Sequence, residues 1–233
     1  MAQRPVFLPL SHGTPWVRTV DATFDWHPGL SVAQKQKSVA SLHASARRLP
    51  GVARVLEVSS KSTESLGVAL SAFNLAMPAL PNGARPSVEC AFQASKVFEN
   101  GGPFVDLLGK SSREAKQDPR LQLSGRLTGF SMDGVDWPLD PPTAFYDWIY
   151  LMALQESPAL LDAAAGYDAF SDIEFNPARS INCQAHSLAL AVALHRVGQL
   201  RTATASPNAF SNCLQKVPPA DTPQDAGTQG ALF

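Results

Sequence analysis

Pairs of helix-breaking residues recur along this chain and constrain it more than any other feature: Pro50-Gly51, Gly101-Gly102-Pro103, Pro141-Pro142 and Ser157-Pro158. Proline has no amide hydrogen with which to continue a helix, and glycine loses the most backbone freedom on ordering. The chain must therefore be assembled from separate elements joined by loops. Ser31-Val-Ala-Gln34 predicts a helix start, running to about Arg48, because a serine hydroxyl and a glutamine side chain can serve the free amides of a first turn. Val52 to Val58 alternates as a strand does, and a further strand is expected at Val6 to Leu10. From about Ser62 longer helical segments follow. Val88 to Asn100 is opened by Pro86-Ser87, Phe104 to Gly109 is short, and Ser111 to Glu114 forms a capping box leading into Ala115-Lys116. Thr143 to Gln155, Pro158 to Ala164 and Cys183 to Val197 complete the set, with Gly166 to Asn176 a carboxylate-bearing loop. The expected fold class is α/β (α+β): one predominantly helical domain over residues 62–203 with a few short strands. A small basic α/β extension occupies residues 1–61, and residues 204–233 form a flexible tail of mostly polar and proline residues.

Charge divides the chain unevenly. Residues 1–61 carry eight basic side chains against three acidic ones, for +5, while the remainder carries eleven against seventeen, for −6. A net charge of −1 excludes a polycation that coats nucleic acid unaided, so any contact with phosphates must be local. The basic extension is either a solvated face or such a local surface. Three widely spaced cysteines, Cys90, Cys183 and Cys213, suit neither a disulfide scaffold nor a structural zinc site. The longest purely apolar stretch, Leu188 to Leu194, falls far short of a membrane span. The expectation is a cytoplasmic protein without a membrane partner.

The segment Glu89-Cys-Ala-Phe-Gln93-Ala-Ser-Lys96 carries the most chemistry. At about 100° per residue, Gln93 and Lys96 both fall within about 40° of Glu89 on a helix, so a carboxylate, an amide and an amine share one stripe. Such a stripe is a solvated polar face or, with Phe92 on the same side, a pocket wall. Trp137, flanked by Asp136 and Pro138 in a loop, either stacks on a nucleobase or plugs the core beneath the next helix. Asp168, Asp172 and Glu174 lie within seven residues; without calcium-loop spacing or a nearby histidine they suit ribose hydroxyls better than a metal. Arg113, Lys116, Arg120 and Arg126 are candidates for pyrophosphate or DNA phosphates, with ordinary surface salt bridges as the default reading of each. No phosphate loop, serine hydrolase triad or zinc-protease motif is present.

Glu89 to Lys96 resembles the E-x-x-x-Q-A-x-K helix of the NADAR superfamily, which is linked to NAD and ADP-ribose metabolism. Phe104 to Leu108, Ser112 to Lys116, Tyr167 to Phe175 and Ser180 to Gln184 extend the resemblance to the branch of antitoxins found beside guanine-specific DNA ADP-ribosyltransferase toxins. It covers about Ser62 to Arg196. The resemblance implies hydrolysis of the N-glycosidic bond between ADP-ribose and guanine in DNA, with no cofactor and no metal. It also implies ADP-ribosylated DNA as substrate, ADP-ribose as product and a cognate DNA ADP-ribosyltransferase toxin as functional partner. Carried over residue by residue, Glu89, Lys96 and Asp168 become catalytic candidates. Phe73, Asn74, Phe92, Gln93, Arg113, Lys116, Trp137, Asp172 and Asn182 become substrate-binding ones. Two departures stand out: the family's Ser-Asn-Phe appears here as Ser71-Ala72-Phe73-Asn74, and its late Trp-Gly as Ser171-Asp172. Alternatives are an N-glycosidase for small phosphorylated riboflavin-pathway intermediates and a non-catalytic module. The latter would bind ADP-ribose or mask the toxin, with Ala231-Leu-Phe233 involved.

Overall fold

The computed structural model describes residues 1–13, 15–178 and 180–215. Its frame is a four-stranded sheet whose inner faces follow the two-residue period of the strands. Strand β1 (Ala2–Pro9) pairs antiparallel with β2 (Val17–Phe24), from Ala2 opposite Phe24 to Pro9 opposite Val17. On its other edge β1 meets β7 (Ala169–Ser171), which runs parallel to β3 (Val55–Glu57), giving the order β2-β1-β7-β3. Val6, Leu8, Val55 and Ala169 point to one face and pack under α1 (Val32–Ala46) with Val39 and Leu42. Phe7, Leu56 and Phe170 point to the other face and join the larger core. Two helices fill that core: α6 (Ala144–Gln155), and α8 (Gln184–Arg196), whose alanines and leucines are buried almost throughout. The basic segment and the later chain thus share one sheet, with β7 inserted between β1 and β3.

Several expectations hold. Ser31 caps α1 by accepting from the Gln34 amide, and Ser111 with Glu114 forms the full capping box of α4 (Ser112–Lys116). Three short strands, besides the one at Lys96–Phe98, were not anticipated. Beyond β7 these are β5 (Leu127–Met132) and β6 (Val135–Trp137), a hairpin closed by Asp133 and Gly134, both at positive φ. Asp-Gly favours that turn because both residues tolerate the left-handed region. With β4 (Lys96–Phe98) they form a second sheet in the order β4-β5-β6. The eight-residue strand β2 was missed as well.

At the other end, residues expected to be loosely held fold back. Helix α10 (Pro207–Gln215) buries Phe210 completely, and the Trp16 indole N–H donates to the Cys213 carbonyl at 3.0 Å. The apolar residues Ala231 to Phe233 lie outside the described residues. Among the described residues no helix is long and apolar enough to cross a membrane.

Candidate functional site

The carboxyl ends of the parallel strands β3 and β7 open into a cleft of about 1200 Å³. Ligands of α/β sheets commonly sit there, where loops leave the strands. Ser59, Ser60 and Lys61 reach it from the loop after β3, and Asp172, Glu174 and Phe175 from the loop after β7. The facing wall is α3 (Val88–Ala94), which presents Glu89, Phe92 and Gln93.

Local hydrogen bonds explain how this wall is held. Ser87 caps α3 by accepting from the Cys90 amide, while the Val88 and Glu89 amides donate to the carbonyls of Leu75 and Ala72 at 2.9 Å each. The free amides of the first turn are thereby satisfied by the loop that carries Phe73 and Asn74. Ser112 at the start of α4 donates to the Phe73 carbonyl and contacts the Ser87 hydroxyl, both at 2.8 Å, which brings Arg113 and Lys116 to the cleft rim.

The helix expected through Asn100 stops at Ala94. Ser95 turns back to the Ala91 carbonyl, and Lys96 opens β4 opposite Phe130. Val97 and Phe98 prefer a pleated strand, and Gly102 at φ +89° packs against the Lys96 carbonyl, where an added Cβ would lie 2.2 Å away. Lys96 thus reaches the cleft from a strand, not by helical spacing from Glu89.

Glu89 and Gln93 are both buried, and the Gln93 side-chain amide donates to Glu89 Oε1 at 2.9 Å. Lys116 Nζ lies 3.6 Å from the same oxygen. Gln93 Oε1 is buried with no partner among the described residues, an acceptor on the cleft wall left open for a donor. The Lys96 ammonium sits 4.7 Å from the centre of the Phe92 ring, which belongs to a cluster with Phe130, Phe145 and Tyr146. Burial pushes the lysine pKa down; Glu89 pulls it up and Lys116 lowers it further, with the net shift downward. An amine so placed carries a larger neutral, nucleophilic fraction than a solvated lysine.

On the opposite side Asp172 is buried, accepting from the Glu174 and Phe175 amides and from Gln184 Nε2 at 3.0 Å. Gln184 Oε1 in turn accepts from the Ala72 amide at 2.7 Å, so the two walls are bridged. Burial raises the Asp172 pKa to about 6. Phe73, partly exposed on the rim, carries the Lys116 ammonium 5.0 Å above its ring. Asn74 donates to the Val68 carbonyl and to Ser71 Oγ, and Asn182 lines the far side.

Two expected site residues are not brought to the cleft. Asp168 Oδ2 accepts from the Ala53 and Arg54 amides at 2.9 and 2.8 Å, pinning the approach to β3. Trp137 lies in β6, not in a loop, and packs in the core against Phe145 and Trp148, its indole N–H without a partner among the described residues. Of the carboxylate trio, Asp172 and Glu174 line the cleft, Glu174 pairing with Lys35 at 3.1 Å, while Asp168 stands apart. Nor do the four candidate cations stay together: Arg120 pairs with Asp106 and Asp118, and Arg126 with Glu99. Lys61, Tyr146 and Gln184 line the cleft without having been singled out. Gln184 stood inside a family-like segment, but nothing in spacing marked Lys61 or Tyr146.

The geometry of the cleft meets an independent finding. Residues 2–224 match the family model described as DarT1-associated NADAR antitoxin. The chain belongs to this NADAR antitoxin family. No curated protein is similar enough to count as a match. For a DarT1-associated NADAR antitoxin, the family name supplies both an antitoxin role and a DarT1 toxin as its associate. The match begins in β1 and continues past α10, so the basic N-terminal segment lies within the NADAR match.

Proposed function

We propose that this NADAR antitoxin is an ADP-ribosyl hydrolase that cleaves the N-glycosidic bond between ADP-ribose and guanine in DNA, undoing the product of its toxin. One observation carries the reading: a lysine of lowered pKa, held over the Phe92 ring near buried Glu89, in a cleft also lined by Arg113, Lys116 and Lys61. A ribose losing a nitrogen base passes through a cation-like transition state, which an adjacent carboxylate stabilises. Glu89 takes that role. The neutral Lys96 amine bonds to the anomeric carbon as the bond to guanine breaks, and the proton goes to the departing base nitrogen. Water then replaces the lysine and frees ADP-ribose. Gln93 Oε1 accepts a sugar hydroxyl or base N–H, Asp172 and Asn182 meet polar groups across the cleft, and the rim cations meet phosphates.

The test is incubation of a guanine-ADP-ribosylated single-stranded oligonucleotide with wild type, Glu89→Ala and Lys96→Ala, read by mass. Wild type should restore the bare oligonucleotide and release ADP-ribose, and both variants should lose at least about a hundredfold in rate. An adduct left intact by the wild type sinks the assignment. Full rescue of toxin-expressing cells by Glu89→Gln would instead favour masking of the toxin.

A further inference from the structure

Behind the cleft, where none of the chemistry above places a role, the Glu57 side chain is almost wholly enclosed, with 1% of its surface exposed. Among the described residues no lysine or arginine pairs with it; its partners are hydroxyls and an amide. Ser59 Oγ donates to Oε1 at 2.6 Å, the Ile173 amide donates to the same oxygen at 2.8 Å, and Ser171 Oγ donates to Oε2 at 2.6 Å. Ser171 Oγ lies 2.9 Å from His43 Nε2 on α1, and Ser59 Oγ accepts from the Lys61 amide at 3.1 Å. A buried carboxyl without a cation is costly, and a core position would ordinarily hold an apolar residue. Its three partners are Ser59 in the loop after β3, Ser171 at the end of β7 and Ile173 in the loop that follows, and these two loops form one wall of the cleft. Ser59 lines that wall directly, and Ile173 follows Asp172 in the chain.

We propose that Glu57 is a positioning residue of this site: its carboxyl ties the loop after β3 to the loop after β7 and so holds Ser59 and Asp172 at the substrate. The inference rests on reading the cleft as an active site. Its surroundings favour the uncharged acid. Burial, with Asp172 adding, raises Glu57 to about 8, and burial with Arg47 lowers His43 to about 4. The titratable groups near it are His43 on α1, Asp172 after β7 and the Cys183 thiol at the start of α8. In the uncharged acid the contact at Oε2 is reversed: the carboxyl hydrogen goes to Ser171 Oγ, whose own hydrogen turns to neutral His43 Nε2, while Oε1 still accepts from Ser59 and Ile173. A glutamine keeps an acceptor in place of Oε1 and a donor in place of Oε2, with one N–H more than the acid has, whereas an ionised glutamate has no donor to give.

Glu57→Gln, Glu57→Ala and Ser59→Ala would be compared with wild type for kcat and KM on the modified oligonucleotide, from neutral pH through and above 8. Glu57→Ala is expected to lose about ten- to a hundredfold in kcat with KM within about threefold, since displaced groups weaken the transition state more than binding. Glu57→Gln should keep wild-type kcat near neutral pH and lack the alkaline fall that wild type shows as the acid ionises. Wild-type kcat in folded Glu57→Ala, or equal impairment of both Glu57 variants, overturns the proposal. If Glu57→Ala does not fold, Ser59→Ala decides: a reduced kcat supports the tie and an unchanged one overturns it. Amide exchange at Ile173 and Lys61 is independent of substrate. Faster exchange there in Glu57→Ala supports the tie and unchanged exchange overturns it, whereas inactivity of the wild type would count against the hydrolase reading alone.

Discussion

Lys96, the proposed nucleophile, is a side chain placed at the expense of comfort. An ammonium on an aromatic floor gains some cation–π attraction, yet desolvation outweighs it and lowers the pKa. Replacing it with methionine should therefore leave the unfolding temperature equal to or above that of the wild type while abolishing adduct removal, the trade expected at an active site. A melting temperature several degrees lower would make Lys96 structural. Lysine to arginine should be equally inactive, because a guanidinium stays charged and cannot act as the nucleophile. The residue types at 89, 93 and 96 were legible in the sequence, but the reason for their proximity was not. Helical periodicity put Lys96 beside Glu89; the structure achieves the same meeting through a helix end and a strand pairing.

At the scale of elements, the turn from α3 into β4 matters most. Gly102 combines a positive φ with a backbone contact to the Lys96 carbonyl. Gly102→Ala should cost about 1 to 3 kcal/mol in denaturant unfolding and reduce turnover with it, because the clash falls on the residue that carries the amine. Gly51 is the control: it also has a positive φ, +79°, but no atom stands within 4 Å of an added Cβ, so alanine there should cost about 1 kcal/mol and spare activity. Equal losses at both positions would remove the role given to the Gly102 contact. Short strands were the elements hardest to read. Ala169–Ser171 is three residues long and buried on every side, leaving no alternation to detect. The β5-β6 hairpin did carry a signal, Asp133-Gly134 between apolar-rich segments.

For the whole molecule, the buried acids couple folding to pH. Glu57, with folded pKa about 8 against 4.5 in the unfolded chain, binds more protons when folded; its contribution is full below 4.5 and is lost as pH rises through 8. Asp172, about 6 against 3.8, acts in the same direction over a lower range. His43 acts oppositely, since its folded value of about 4 lies below 6.5, and stability gained from it is complete above 6.5. Between 6.5 and 8 the Glu57 acid therefore dominates among these three. The melting temperature of wild type should fall across that interval, and that of Glu57→Gln should fall less. Parallel curves for the two proteins would show that Glu57 does not retain its proton in the fold.

The sequence by itself determined most of the helix starts, the serine caps of α1, α3 and α4 and the residue types at 89, 93 and 96, because capping and breaker residues act within a few positions of themselves. Tertiary structure decided what depends on distant partners. It put Asp168 on the amides of Ala53 and Arg54 and Asp172 in the cleft, although the two stand four positions apart. It buried Trp137 beneath α6, and it folded residues 207–215 back onto Trp16. The strand β7 lies between chain segments more than a hundred residues away, so its neighbours are chosen by sheet pairing and core burial, which no local pattern encodes.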